Sequence, residues 1–243
     1  MKASISSHFL SLLMLLALAL PASAGTRTVT YDRPHKTLSV ATGISVKYNY
    51  TNTKSTRIVI TAPDNVIDNV VAESRGNTIY IKVKSNNYNR RTTTSGNISV
   101  TVSGPLFSEF EAQSGSKIVC ANRLVYSATT KVKVDASSAS TVVIPGIECG
   151  KLDVETSSAA TVKIISVKAD RVEADASSAS KCELRAIRAD RLEVEASSSA
   201  SVTVAGKVHS VDVEASSASS VNMASLTYEN VQVDKSSAAS VKR

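Results

Sequence analysis

From Leu38 onward, apolar and polar residues alternate in short runs, the two-residue period of extended chain. Leu38, Val40, Ile44, Val46, Tyr48 and Tyr50 share one face, with a one-residue slip near Gly43 that reads as a bulge. Ile58-Val59-Ile60 runs into a turn at Pro63-Asp64-Asn65. Ile79, Ile81 and Val83 alternate again, as do Ile98, Val100 and Val102 before Gly104-Pro105. Between those two strands, residues 85–97 carry almost nothing apolar and predict an exposed loop. Helical periodicity is confined to the first 24 residues.

From Glu111 the alternation becomes periodic. EAQSGSKI (Glu111), DASSASTV (Asp135), ETSSAATV (Glu155), DASSASKC (Asp175), EASSSASV (Glu195), EASSASSV (Glu214) and DKSSAASV (Asp234) each join a carboxylate to a small-residue run and a distal apolar residue, apart from Cys182 at that last position in one unit. Successive starts are 24, 20, 20, 20, 19 and 20 residues apart. A β-type repeat of that length predicts a solenoid in which each unit buries its apolar face only against its neighbours. Before each small-residue run, Val132/Val134, Leu152/Val154, Val172/Ala174, Leu192/Val194, Val211/Val213 and Val231/Val233 form two inward columns. After it, Val142, Val162, Cys182, Val202, Val221 and Val241 form another, followed by Ile144, Ile164, Leu184, Val204 and Met223. Ile147, Val167, Ile187 and Leu226 supply a third short side. A coil of about 20 residues at roughly 3.3 Å per residue has a perimeter near 66 Å, enough for three sides, and seven coils at about 4.8 Å stack to roughly 34 Å. The fold expected is all-β, a parallel β-helix, and the absence of a strict hexapeptide rhythm favours the right-handed form. One domain is expected over residues 25–243, with irregular strands over 25–105 and regular coils over 106–243.

Composition changes the picture at three points. Phe9 to Leu20 is an almost unbroken apolar run ending at Ala22-Ser23-Ala24, so residues 1–24 read as a secretory signal peptide. No cysteine follows it to carry a lipid anchor, and no later segment is apolar enough for a membrane helix. The expected location is therefore exported: periplasmic, surface-bound or secreted. Charge is uneven, with 11 Lys/Arg against 4 Asp/Glu in residues 25–100 and 16 against 17 in residues 101–243. A basic first part bearing Tyr31, Tyr48, Tyr50, Tyr80 and Tyr88 could touch anionic glycans or membrane phosphates, or simply be a solvated strand face. Nucleic acid is not an expected partner, because no binding motif is present. Cys120, Cys149 and Cys182 are an odd set, and none are neighbours on adjacent rungs, so they read as small core side chains.

The candidate chemistry lies on the repeat. Asp135, Glu155, Asp175, Glu195, Glu214 and Asp234 fall in one outward column, with Asp153, Glu173, Glu193 and Asp212 two residues earlier. Stacked at strand spacing, such acids repel unless neutralised. Lys131, Lys151, Arg171 and Arg191 offer an internal answer as a solvated salt-bridge lattice. A weakly bound Ca²⁺ on the six-carboxylate strip is a second, since Ca²⁺ takes several carboxylate oxygens. No catalytic residues are expected: the corner serines lack an activating base, and His35 and His209 sit in no motif. At the other end of the repeat, Lys235 replaces a small inward residue and is expected to discourage end-to-end stacking.

The run LSVATGISVKYNYTNTKSTRIVITAPDNVIDNVVAESRGNTIYIKVK, then NISVTVSGPLFSEFEAQSGSKIV, then the SSAS corners, resembles the head GIN domain family over about residues 35–243. Gly43-Ile44-Ser45 stands where a Gly-Ile-Asn signature is expected, and the serine departs from it. The resemblance implies an exported, non-enzymatic, β-helical envelope protein of the autotransporter-adhesin type. The function expected is a non-catalytic surface or periplasmic protein presenting a rigid face to a glycan or another envelope component. The alternative is a polysaccharide-cleaving enzyme on the same fold, disfavoured by the short connections between coils.

Overall fold

The computed structural model describes residues 24–84 and 98–243. Residues 1–23, nearly all of the expected signal peptide, and the expected loop at 85–97 lie outside the described residues. Among the described residues no helix is long and apolar enough to cross a membrane.

The regular part is a parallel β-solenoid. Lys131–Ala136, Lys151–Thr156 and Arg171–Ala176 pair in parallel with no slip, Asp135 opposite Glu155 and Glu155 opposite Asp175. Each coil then turns into a four-residue side, as at Thr141–Ile144 and Thr161–Ile164, and a two-residue side, as at Ile147–Glu148 and Val167–Lys168. The expected inward columns are inside: Leu152, Val162, Ile164, Val172, Leu192 and Val202 are fully buried. Fully buried Cys182 fills the place that Val162 and Val202 take on its neighbouring coils. All three cysteines are free and buried, and burial pushes each thiol up to about 12.

The corners are more unusual than small size alone requires. Ser138/Ala139, Ser158/Ala159, Ser178/Ala179, Ser198/Ser199, Ser217/Ala218 and Ser237/Ala238 all have φ between 50° and 62°. Two consecutive left-handed residues make a type I′ turn, closed by Ser140 N–H to Ser137 O and its equivalents. Turns of that type ordinarily recruit Asn-Gly, because L side chains resist positive φ. Stacking offsets the cost here: Ala139 N–H donates to Ser158 O on the next coil at 2.9 Å, and the pattern repeats up the column. The last corner residue turns inward, where Ser116, Ser140, Ser180 and Ser219 donate to the carbonyls of Val40, Ala112, Thr156 and Ala196.

The N-terminal part departs from the expected simple run of strands. Ten elements organise it: β1 (Ala24–Tyr31), β2 (Thr37–Val40), β3 (Ser45–Tyr50), β4 (Thr56–Pro63), α1 (Asp64–Ile67), β5 (Val70–Arg75), β6 (Thr78–Val83), β7 (Ser99–Gly104), β8 (Glu109–Ala112) and β9 (Lys117–Cys120). The slip expected to be a bulge near Gly43 is a coil corner, with Thr42 at φ 61° and Gly43 at φ 72°. Thus β2 and β3 already form the first coil, parallel to β8 and β9. The intervening chain folds back beneath it: β6 pairs in parallel with β2, and β7 with β3. Antiparallel strands then close that end, β4 on β7, β1 on β4 and β5 on β6. Layer order therefore differs from chain order.

Aromatic residues are spent on this junction. Tyr48, Phe107 and Phe110 pack with ring centroids 5.2, 5.7 and 6.3 Å apart, and Tyr48 O–H donates to Pro105 O at 2.7 Å. Tyr31 O–H donates to Ala72 O at 2.8 Å, tying β1 to β5. Tyr48 and Tyr31 are thus structural rather than parts of a binding patch, and Tyr88 lies outside the described residues.

Candidate functional site

Six-residue strands present three outward positions apiece, so the first side of the solenoid carries three parallel rows. Lys131, Lys151, Arg171 and Arg191 form the first, aligned strand to strand. Asp153, Glu173, Glu193 and Asp212 form the second, and the six expected carboxylates the third. Glu111 heads the third row, in register with Asp135; the EAQSGSKI unit carried that signal.

The cations of the first row neutralise Asp153, Glu173 and Glu193 of the second row and do not reach the third. Lys151 bridges Asp153 at 3.3 Å and Glu173 at 2.7 Å, and Arg171 bridges Glu173 at 2.8 Å and Glu193 at 2.7 Å. Lys131 and Arg191 add contacts of 2.5 Å to Asp153 and 2.6 Å to Glu193. Burial alone would raise the Glu193 carboxyl, yet Arg171 and Arg191 outweigh it and hold the group below its ordinary range. The row stops at Arg191, since Ser210 and Asn230 follow in register. In the third row, among the described residues, only Glu155 has a cationic partner, Lys133 at 2.8 Å. Partial burial, then Glu195 and Glu155 on the adjoining rungs, push Asp175 up to about 6. Burial and Glu155 likewise raise Asp135.

The third row and the first corner serines (Ser137, Ser157, Ser177, Ser197, Ser216 and Ser236) enclose a shallow groove of about 780 Å³. All six carboxylates expected from the sequence line it. No group of three acidic, histidine or cysteine side chains among the described residues is arranged to hold a metal ion. The groove is a long acidic trough, relieved among the described residues by the Lys133–Glu155 pair and by Lys235 in its lining at the last coil. A second groove of about 650 Å³ follows the third corner, with Lys168, Arg188 and Lys207 facing Asp170 and Asp190 over buried Ala169 and Val208.

Histidine chemistry is sparse. His35 Nε2 lies 2.7 Å from Ser74 Oγ, and Arg33 Nη2 donates to the same oxygen at 2.8 Å. The His35 Nδ1 atom is buried without a hydrogen-bond partner among the described residues. Burial, then Arg33, lowers the affinity of that ring for a proton. His209 Nδ1 pairs with Glu229 at 2.9 Å on the opposite end of the molecule.

The second side has a different chemistry that sequence columns alone did not reveal. Its first outward row passes without interruption through Thr26, Thr61, Ser99 and Ser45 of the N-terminal layers. It continues through Lys117, Thr141, Thr161 and Lys181 to Ser201, Ser220 and Ser240. Beside it run Lys47, Lys163 and Lys242, with Glu183 as the acid of that second row. The antiparallel cap strands extend this face beyond the solenoid, which is why the repeat by itself understated it.

Comparison with known proteins follows the same lines. No curated protein matches the chain. The fold is similar to that of a "putative adhesin" from Bacteroides fragilis NCTC 9343, with a TM-score of 0.77 and 16% identity over 91% of this chain and 98% of that one. It is also similar to "putative adhesin" structures from Parabacteroides merdae ATCC 43184 (TM-score 0.69, 14% identity, 90% and 95% covered) and Parabacteroides distasonis ATCC 8503 (0.68, 16%, 91% and 97%). At such identities the likeness establishes the solenoid and leaves the ligand open. The sequence itself goes further: residues 35–202 and 163–242 match the family described as "Putative auto-transporter adhesin, head GIN domain", and the chain belongs to that family.

Proposed function

We propose that this protein is an exported, non-catalytic, adhesin-like solenoid that holds rows of identical chemistry against an extended envelope component, a glycan being the favoured class. The observation that carries the reading is register. Outward residues stand with their Cα partners aligned over consecutive coils, a carboxylate at every step from Asp135 to Asp234, so a ligand with its own repeat meets regularly spaced groups. Family membership supports an adhesin-like role, and the short corners leave shallow grooves in place of a deep cleft. The acidic trough remains a proposed weak cation strip within that reading.

The test is binding of labelled protein to intact cells and to immobilised envelope polysaccharides, with product analysis alongside. Retention without new reducing ends is the expected result. Release of oligosaccharide products would replace the reading with a polysaccharide-cleaving one. Protease accessibility in intact cells distinguishes surface from periplasmic location.

A further inference from the structure

We propose that the second side of the solenoid is the docking face for an extended polyanionic polysaccharide, one bearing carboxylates or sulfates along its length. The inference rests on the adhesin-like reading above and specifies its face and ligand charge. Eleven strands contribute to this face in unbroken succession, so at strand spacing it is about 48 Å long. Lys47, Arg57, Lys117, Lys181 and Lys242 project from it exposed, and none makes a salt bridge among the described residues, although the charge of Lys181 also acts on Glu183. Residues 1–23 and 85–97 contain no Asp or Glu that could supply one. The acid on the face, Glu183, is already held by Arg185 and by Lys163 at 3.6 Å.

The contrast with the first side decides the sign of the ligand. There the cations are consumed by the second acid row, and what remains open is a carboxylate trough. A polyanion is repelled from that side and drawn to the other, the complementarity that sets orientation and rejects wrong partners. Hydroxyls complete the match. Ser45, Thr61, Thr141, Thr161, Ser201 and Ser220 make no side-chain hydrogen bond to a described residue, unlike the buried corner serines, and so are free to exchange bonds with sugar hydroxyls.

The experiment measures binding of the parent chain, Lys117→Glu/Lys181→Glu and Asp175→Asn/Glu195→Gln to polygalacturonate, neutral dextran and anionic phospholipid vesicles, folding being checked by circular dichroism. The expected result is retention of polygalacturonate by the parent and the acid-side variant, and binding at least about tenfold weaker in the lysine variant. Raising salt to about 0.5 M weakens the parent's binding, because exposed pairs are screened. Equal affinity in the parent and lysine variants overturns the assignment, as does capture of vesicles in preference to polysaccharide. If the parent adheres to cells or to a neutral glycan while ignoring polygalacturonate, this face assignment fails and the adhesin-like reading stands. Folded protein that binds neither cells nor any glycan removes both.

Discussion

At the corner residues, local conformational preference and stacking pull in opposite directions. A left-handed alanine costs roughly 1–2 kcal/mol, and glycine in its place would relieve that strain while giving back about 0.5–1 kcal/mol of chain entropy. Ala159→Gly is therefore expected to raise stability slightly, by about 0.5 kcal/mol, whereas Ala159→Val, branched at Cβ, should lower it by more than about 1 kcal/mol. Urea unfolding of the two variants checks both signs. Asp175 gives a second residue-scale outcome. Its folded carboxyl is raised to about 6 from an ordinary 3.8, so the folded state holds the proton more tightly than the unfolded chain. Stability from this group is complete below pH 3.8 and declines as pH rises through 6. Asp175→Asn should accordingly melt higher than the parent at pH 7, with the difference vanishing near pH 4. A difference that grows on acidification would show that the carboxylate is stabilised instead.

Among the elements, the sheet absorbs two compensating irregularities, at Leu184 to Ile187 and at Thr203 to Ala205, and the first explains the 19-residue spacing between Glu195 and Glu214. Opposite Leu184 to Ile187 the neighbouring coil has one residue fewer, and the register shifts there. Ala186 takes φ 42° and Gly206 φ 139° to absorb the difference. A Cβ on Gly206 would lie 2.3 Å from the backbone of Ile187, so the gap in the Ile147–Val167–Ile187–Leu226 column is filled by main chain. Gly206→Ala is expected to cost about 1–3 kcal/mol, from strain and displaced pairing together. Denaturant melts, with hydrogen exchange at Val204 and Leu226, would locate the loss; a neutral substitution would mean that the two coils can separate without penalty.

Across the whole molecule, the two broad sides have opposite electrostatic character among the described residues, one a trough of mostly unpaired acid and one a hydroxyl-rich face of mostly unpaired cations. Asp175→Asn combined with Glu195→Gln should raise the melting temperature at low ionic strength, and salt at about 0.15 M should shrink that gain. Millimolar Ca²⁺ provides the discriminating measurement for the proposed cation strip. A ligand stabilises only the state that binds it, so a Ca²⁺-dependent rise present in the parent and lost in the double variant would assign the ion to the trough. Identical melting of the parent in Ca²⁺ and in chelator would leave repulsion alone to account for the variant's gain.

The repeating coils were legible in the chain because each of their rules is local. Strand alternation puts Leu152, Val172 and Leu192 inside, and the repeat spacing aligns Asp135 with Glu155 and Asp175 before any contact is known. What the sequence could not decide depends on which strands meet across long chain separations. Lys131 and Lys151 were visible beside both acid columns, yet only side-chain reach in three dimensions commits them to Asp153 and Glu173 and leaves Asp175 without a cationic partner among the described residues. The slip at Gly43 has the same one-residue signature whether it is a bulge or a corner, and pairing of β3 with β9 makes it a corner. The return of β6 and β7 beneath the first coil leaves no periodic trace, because a single cap has no copy to repeat against. That closure carries the second face past the solenoid, and so tertiary pairing alone fixes how long a surface this protein offers.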